Sequence, residues 1–190
     1  MSWFQETPTR SLELIRRVTG TTASVIDVGG GASRLIDHLL EAGYRDLTVL
    51  DLAAGALEAA RRRLGDRATT VTWIEGDVTT FDAGRRFDLW HDRAVLHFLT
   101  DEDDRRRYVD NLRRSLHPGG HVVLATFGPN GPEQCSGLPV RRYSVDDMAT
   151  LLGEDFTLLD RDDEVHRTPT GADQAFVYGL FRFASGGRGS

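Results

Sequence analysis

The stretch that most constrains the fold is Val25–Ser33, where a short apolar run breaks into three consecutive glycines. The residues up to Val28 are typical of a buried strand, and those from Ser33 onward have the apolar spacing of a helix. A strand, a glycine-rich turn and a helix N-terminus form a nucleotide-binding corner, because glycine lets the backbone approach a ligand and the first helical N–H groups face it. The sequence therefore predicts an α/β fold with a ligand site at this corner.

Strand and helix patterns alternate along the rest of the chain. Strands are predicted at residues 23–28, 47–50, 70–74, 87–91, 121–127, 156–160 and 174–183. Helices are predicted at residues 9–18, 33–42, 53–64, 100–116 and 144–152. This alternation predicts a mostly parallel sheet with helices on both faces, and the last two strands, with no helix between them, should pair antiparallel. We expect a single domain over residues 1–184 and a flexible Gly/Ser/Arg tail at 185–190.

Composition excludes several classes of function. The chain has 190 residues and a net charge of −6, so it fits one domain and carries no basic footprint for nucleic acid. No apolar run is long enough to span a membrane, and we expect a cytoplasmic protein. A single cysteine, Cys135, excludes an internal disulfide, and the histidines form no compact ligand cluster, so we expect no metal site. The oligomeric state is left open.

Two features of the corner argue against a dinucleotide cofactor. The dinucleotide fingerprint needs a third glycine for close helix–strand packing, and Arg34 stands in that position. Asp27, inside the strand end, would repel a pyrophosphate but would attract a ligand that carries an ammonium group.

Acidic residues also end the next two strands. Asp51 lies twenty residues after Gly31, where a carboxylate can accept both ribose hydroxyls. Asp77 follows the third strand, where its carboxylate or the Val78 backbone can reach an adenine amino group. A single aspartate of this kind is explained as a turn or helix cap, but three at successive strand ends favour S-adenosylmethionine, which has a sulfonium, an ammonium and no phosphate.

Five successive motifs carry a family resemblance: Val25–Ser33, Leu50-Asp51, Glu75–Val78, Phe87–Trp90 and Leu116–Thr126. With these motifs the chain resembles class I S-adenosylmethionine-dependent methyltransferases. The resemblance implies a Rossmann-like seven-stranded sheet in the order 3-2-1-4-5-7-6 with strand 7 antiparallel. The cofactor-binding residues expected on this basis are Asp27, Gly29, Gly30, Gly31, Asp51, Leu52, Asp77, Val78, Asp92 and Arg93. Gly30 departs from the family pattern, because many members have Cys or a similar residue there, and we expect an unusually flexible turn.

The predicted function is in-line methyl transfer from S-adenosylmethionine to a small-molecule acceptor. The stretch Gly31–Asp51 is also similar to the branch that holds eukaryotic elongation-factor lysine methyltransferases, so a protein lysine methyltransferase is the alternative enzyme. A non-catalytic S-adenosylmethionine-binding module and, third, an NAD-dependent reductase remain as further alternatives.

Candidate catalytic residues follow the fourth strand. His97 is predicted as a general base or substrate hydrogen-bonding group with a pKa near neutrality, and His91 is a second candidate. The alternative for His97 is packing on the helix that carries Tyr108. Arg93 is predicted to pair with the carboxylate of the cofactor's methionine end, and Asp92 to hold the same end.

Candidate substrate-binding residues lie in late loops and at the N-terminus. The loop over residues 132–143 is too long for a simple connection and is predicted to contact the substrate. Its candidates are Cys135, Arg141 and Tyr143. Phe4, together with Trp3, is predicted to close over the site as a lid or to pack on the sheet edge.

Overall fold

The computed structural model describes residues 5–168, 171 and 173–184. The lid predicted for Trp3 and Phe4 and the tail predicted at 185–190 lie outside the described residues. In the described part of the chain, no helix combines the length and apolar character that crossing a membrane requires.

A seven-stranded sheet organises the molecule. Its strands are β1 (Ser24–Val28), β2 (Asp46–Asp51), β3 (Val71–Glu75), β4 (Phe87–Arg93), β5 (Leu116–Phe127), β6 (Phe156–Arg167) and β7 (Asp173–Phe183). The order across the sheet is β3-β2-β1-β4-β5-β7-β6. Strands β1 to β5 run parallel, and β7 is antiparallel to both β5 and β6. The predicted fold class, strand order and terminal hairpin are confirmed.

Within the described ranges, five α-helices cover the sheet: α1 (Thr9–Val18), α2 (Leu35–Glu41), α3 (Ala54–Leu64), α4 (Glu102–Ser115) and α5 (Val145–Leu152). Their bounds agree with the predicted ones to within two residues. Ser144 caps α5 in a capping box with Asp147, as its position before the helix predicts. The cap of α4 is Asp101, whose carboxylate accepts the N–H groups of Asp103 and Asp104.

The helices divide between the two faces of the sheet. Neighbouring residues on one strand, such as Val25 and Ile26, belong to different hydrophobic clusters because strand side chains alternate between the faces. Helices α1, α2 and α3 pack into the first cluster, and α4 and α5 pack into the second. Strand β7 is buried on both alternations along most of its length, as a covered central strand requires.

Three elements differ from the sequence prediction. Strand β5 begins at Leu116, five residues before its predicted start, and its pairing with β4 shifts register between Phe87 and Leu89. Strand β6 extends seven residues beyond its predicted end, through an exposed charged stretch that pairs along its whole length with β7. The long loop contains a small hairpin, with strands Gln134–Cys135 and Leu138–Pro139, and its tip residues Ser136 and Gly137 have positive φ angles.

Candidate active site

The principal pocket opens at the carboxyl ends of the parallel strands and has a volume of about 520 Å³. A space of this size suits one small-molecule ligand site. The lining residues are Val28, Gly29, Leu50, Asp51, Leu52, Gly76, Asp77, Val78, Arg93, Ala94, Val95, Phe98, Leu99, Thr100, Leu138 and Pro139. Its acidic side chains come from the ends of β2 and β3, whereas the wall after β4 and the hairpin is mostly apolar. The pocket thus joins an acidic half to an apolar half.

The three glycines of the turn after β1 have no room for a side chain. Gly29 has a φ of +71°, and a Cβ there would collide with Val95. A Cβ on Gly30 would collide with the carboxylate of Asp27, and one on Gly31 would come within 2.9 Å of Asp51. A close contact with Asp27 thus requires glycine at position 30, and the flexibility expected of this turn stays a prediction.

Asp51 ties the glycine turn to the end of β2. Its Oδ2 accepts the backbone N–H of Gly31 at 3.0 Å, and its Oδ1 accepts that of Ala53 at 2.8 Å. The side chain is half-buried and lines the pocket. Each carboxylate oxygen has two lone pairs, so both can accept a further hydrogen bond from a ligand hydroxyl.

Asp77 and Val78 line the pocket at the end of β3. Asp77 also caps the following turn, since its Oδ1 accepts both the N–H and the hydroxyl of Thr79 at 2.8 Å. Leu52, which also lines the pocket, is 73% exposed. An apolar side chain so exposed on a pocket wall offers a surface that a flat apolar ring can cover.

Asp27 and His91 form a buried pair behind the pocket wall. Asp27 Oδ1 and His91 Nδ1 are 2.7 Å apart, and His91 Nε2 lies 2.9 Å from the hydroxyl of Ser11 on α1. All three side chains are buried. Both ring nitrogens of His91 are engaged inside the protein and the ring does not line the pocket, so this geometry gives its predicted catalytic role no support.

The second carboxylate oxygen of Asp27 suits a ligand that carries an ammonium group. Its Oδ2 is buried and finds no hydrogen-bond donor in the described part of the chain. Such a buried unsatisfied acceptor costs roughly 1–3 kcal/mol, which a bound N–H donor offsets. This oxygen lies directly under the Gly30 turn. The acceptor, the side-chain-free turn and the acidic strand ends fit S-adenosylmethionine and disfavour a pyrophosphate.

Asp92 lies fully buried on the opposite face of β4 from His91. The Tyr108 hydroxyl donates to Asp92 Oδ2 at 2.7 Å, and the backbone N–H groups of Val95 and Leu96 donate to the carboxylate at 2.8 and 3.1 Å. Burial raises the pKa of Asp92 to about 6, against these hydrogen bonds. The carboxylate of Asp92 shapes the turn after β4 and does not line the pocket, so the cofactor-binding role expected for Asp92 stays a prediction.

Arg93 is the one cationic side chain that lines the pocket among the described residues. Its Nε donates to the Tyr178 hydroxyl at 3.0 Å, and its guanidinium lies 4.4 Å from the ring centroid of Phe176. The Tyr178 hydroxyl in turn donates to Glu164 at 2.8 Å. These contacts fix one positive charge at the edge of the pocket.

His97 is enclosed in the turn Leu96–Phe98. Its side chain is 0% exposed, and its ring centroid lies 4.6 Å from those of Phe98 and Phe127. Neither ring nitrogen has a hydrogen-bond partner among the described residues. Burial, helped by the charge of Arg93, lowers the pKa to about 3. The predicted near-neutral pKa is therefore wrong, and the ring faces the interior in this conformation.

The late loop contributes to the pocket through residues other than those predicted. Cys135 is buried in the core, and Arg141 is exposed with its guanidinium 5.5 Å from the Tyr143 ring centroid. Burial raises the pKa of Tyr143 to about 12. None of these three side chains lines the pocket, whereas Leu138 and Pro139 of the same hairpin do.

Sequence reasoning missed most of the apolar wall. The missed residues are Ala94, Val95, Phe98, Leu99, Thr100, Leu138 and Pro139. The signal for the first five was available, because they directly follow a parallel strand whose carboxyl end meets the ligand edge of the sheet. Ala94 has a φ of +76°, which only the structure reveals.

The sequence profile of the methyltransferase domain family matches residues 25–120, about half of the chain, from β1 into β5. The chain belongs to this family. The predicted class I S-adenosylmethionine-dependent methyltransferase family is thereby confirmed, and the strand order described above is the Rossmann-like arrangement expected for it.

Two curated proteins are similar in sequence to about 60% of this chain. Nodulation protein S of Rhizobium tropici is 34% identical over 113 residues, which cover 60% of this chain and 47% of that protein. Malonyl-[acyl-carrier protein] O-methyltransferase of Anoxybacillus flavithermus (strain DSM 21510 / WK1) is 27% identical over 116 residues, covering 60% of this chain and 43% of that protein. Each match spans less than half of the relative's own length.

A solved methyltransferase structure shares the fold. N-methyltransferase NodS from Bradyrhizobium japonicum WM9, in complex with S-adenosyl-L-homocysteine, superposes with a TM-score of 0.73 at 24% identity. The superposition covers 94% of this chain and 89% of the NodS chain. The fold likeness therefore extends beyond the segment that the family profile matches.

Proposed function

We propose that this chain is an S-adenosylmethionine-dependent methyltransferase that acts on a small-molecule acceptor. The observation that carries this proposal is the pocket in which two acidic strand ends and the glycine turn meet an apolar wall. The names of two relatives, an N-methyltransferase and a malonyl-[acyl-carrier protein] O-methyltransferase, support methyl transfer but name different acceptor atoms. A cytoplasmic location stays a prediction.

The acidic half of the pocket is proposed to hold the adenosyl group. Asp51 would accept the ribose hydroxyls through oxygens that already orient the glycine turn. Asp77 or the Val78 backbone would meet the adenine amino group, and the exposed face of Leu52 would cover the adenine ring.

The methionine end of the cofactor is proposed to lie between Asp27 and Arg93. The unsatisfied Oδ2 of Asp27 suits the ammonium group, and a guanidinium is the side chain best able to pair with a carboxylate in two parallel hydrogen bonds. Because Tyr178 and Phe176 already hold Arg93, little side-chain freedom is lost when this pairing forms.

The cofactor supplies a methyl group on a sulfonium, which is already an activated leaving group. The protein therefore has to align the acceptor and exclude water, and such positioning contributes up to roughly 7–11 kcal/mol. The apolar wall after β4 and the hairpin suits both tasks. The buried position of His97 gives no support to general-base catalysis in this conformation, so we propose that alignment dominates.

The acceptor is proposed to present an apolar surface beside its reacting atom. The wall that would meet it combines Val95, Phe98 and Leu99 with Leu138 and Pro139 of the hairpin. Leu138 is 58% exposed, so a bound acceptor can cover it. A volume of about 520 Å³ that also holds the cofactor favours a small molecule over a protein segment.

Transfer of a radiolabelled methyl group tests this proposal. The protein is incubated with labelled S-adenosylmethionine and a bacterial extract, and the extract is then separated into small-molecule and protein fractions. We expect label in the small-molecule fraction, and its loss with Asp51→Ala but not with Asp66→Ala, an exposed aspartate outside the pocket. Label confined to protein would instead favour the lysine methyltransferase, and tight cofactor binding without any transfer would favour the non-catalytic binding module.

A further inference from the structure

We propose that His91 and Ser11 form a positioning relay that holds the Asp27 carboxylate in place for the ammonium group of the cofactor. The inference rests on the proposed function, because it assumes that the ammonium group of the cofactor binds at Asp27. It assigns a role to two residues that do not themselves line the pocket. It replaces the catalytic role predicted for His91 with an indirect one, exerted through Asp27.

The fold brings the three side chains together from three elements. Asp27 on β1 and His91 on β4 are direct partners across the parallel strand pair. The carboxylate and imidazole are 2.7 Å apart at Oδ1 and Nδ1, and the Ser11 hydroxyl of α1 lies 2.9 Å from Nε2. All three are buried, so solvent does not compete for these hydrogen bonds.

The chemistry of the three groups fixes the direction of the relay. An ionised carboxylate only accepts hydrogen bonds, so Nδ1 of His91 carries the proton that is shared with Asp27. A neutral ring then accepts the Ser11 hydroxyl proton at Nε2, and a protonated ring donates to the same hydroxyl. In both forms the hydrogen bond to Ser11 fixes the orientation of the imidazole ring. The ring then forms its other hydrogen bond with Oδ1 of Asp27 and none with Oδ2.

The consequence is that Oδ2 of Asp27 remains available under the glycine turn. Gly30 is where this oxygen leaves no room for a Cβ, and Oδ2 has no donor among the described residues. The relay therefore fixes the rotation of the carboxylate, so that one of its oxygens faces the turn. Without the His91 donor, the carboxylate loses the hydrogen bond that fixes its orientation, and its contact with an ammonium group is weakened.

Ser11, the outermost residue of the relay, lies on helix α1, which forms ion pairs with β6. Arg17 of α1 pairs with Asp160 of β6 at 2.5 Å, and Arg10 of α1 pairs with Asp162 two residues along the same strand. These ion pairs, together with the buried apolar side of α1, set the position of Ser11 relative to β4.

Two ligands that differ only in the amino acid part separate positioning from general stability. S-adenosylhomocysteine carries the ammonium and carboxylate groups, whereas 5′-methylthioadenosine has the same adenosine and thioether without them. Their affinities are measured by calorimetry for the native protein, His91→Leu, His91→Asn, Ser11→Ala and the control His121→Leu. His121 lies on β5 and does not line the pocket.

For His91→Leu we expect S-adenosylhomocysteine to bind at least about tenfold more weakly, with methylthioadenosine binding changed by less than about twofold. The side-chain NH₂ of His91→Asn can replace the Nδ1 donor, so this variant should keep most of the preference for S-adenosylhomocysteine. Ser11→Ala should reduce that preference by about threefold, and it tests the relay even if His91→Leu does not fold.

Equal losses for both ligands in the His91 and Ser11 variants would overturn the relay and leave these residues a structural role only. An unchanged preference in His91→Leu would overturn it as well. If the native protein binds neither ligand, the proposed cofactor pocket itself fails, and the relay with it. Native binding of both ligands separates these two kinds of failure.

Discussion

The three aspartates at the strand ends differ in how many hydrogen bonds their carboxylate oxygens form within the protein. Asp51 and Asp77 accept backbone N–H groups of the turns that follow them. Asp27 shares one oxygen with His91, and its other oxygen has no donor among the described residues. Capping and ligand binding are therefore compatible at the first two sites, whereas the second oxygen of Asp27 is the one that the proposed ammonium contact uses.

Asp51→Ala is expected to weaken S-adenosylhomocysteine binding by more than tenfold. The substitution removes both the proposed ribose acceptor and the bond to the Gly31 N–H, and one charge-assisted hydrogen bond is worth about 1.5–3 kcal/mol. Calorimetry measures the affinity, with Asp66→Ala as the matched control. Unchanged affinity in Asp51→Ala would remove this residue from the cofactor site.

His97 makes a specific contribution to the dependence of stability on pH. Its folded-state pKa of about 3 lies below the ordinary value of 6.5, so the unfolded chain binds more protons between these values. The stability contributed by the neutral ring is present above pH 6.5 and is lost as the pH falls toward 3. Between pH 7 and pH 5 this loss is about 2 kcal/mol.

Substitution of His97 by leucine should remove that loss. Asp92, whose pKa is raised to about 6, acts in the opposite direction between its ordinary pKa of 3.8 and 6, but it is common to both proteins and cancels in their comparison. Urea unfolding at pH 7 and pH 5 gives the two free energies for each protein. Equal pH dependence in the native protein and His97→Leu would contradict the buried neutral imidazole.

Among the elements, the glycine turn has little tolerance for an added side chain. In Gly30→Ala the new methyl group must displace the Asp27 carboxylate, and a misfit of this kind costs about 1–3 kcal/mol. We expect a lower unfolding free energy and weaker S-adenosylhomocysteine binding. Gly20→Ala is the control, since its Cβ meets open space and the change should be neutral or slightly stabilising. Equal behaviour of the two variants would contradict the tight turn.

The hairpin after β5 can be followed through the single cysteine of the chain. Cys135 is buried in one hairpin strand, while its cross-strand partner Leu138 lines the pocket. We expect slow reaction with Ellman's reagent in the native protein, and slower reaction still with saturating S-adenosylhomocysteine. Reaction in urea gives the full signal of one thiol. Rapid native labelling, or a rate that ligand does not change, would contradict the description of the hairpin as part of the pocket wall.

Helix and strand positions followed from local patterns where those patterns were strong. The amphipathic spacing of α1 and the cap at Ser144 placed both helices closely, because these signals lie within the elements themselves. The length of β6 could not be predicted, since its exposed and charged second half is held by pairing with β7 rather than by its own apolar residues. Such pairing depends on contacts distant in sequence.

For the whole molecule, the position of the site was predictable and several side-chain roles were not. Parallel strands bring their carboxyl ends to one edge, so Asp51 and Asp77 could be placed at the pocket before the structure was known. Along β4, strand alternation sends His91 toward α1 and Asp92 toward α4, while Arg93 reaches the pocket. The sequence shows that alternation but does not say which elements cover each face.

The pocket at the strand ends is expected to bind S-adenosylmethionine and not a dinucleotide. Calorimetric titration of the native protein with S-adenosylmethionine, S-adenosylhomocysteine and NADH distinguishes the two. We expect saturable binding of the first two ligands at one site per chain, and no binding of NADH. Binding of NADH without binding of either adenosyl ligand would contradict it.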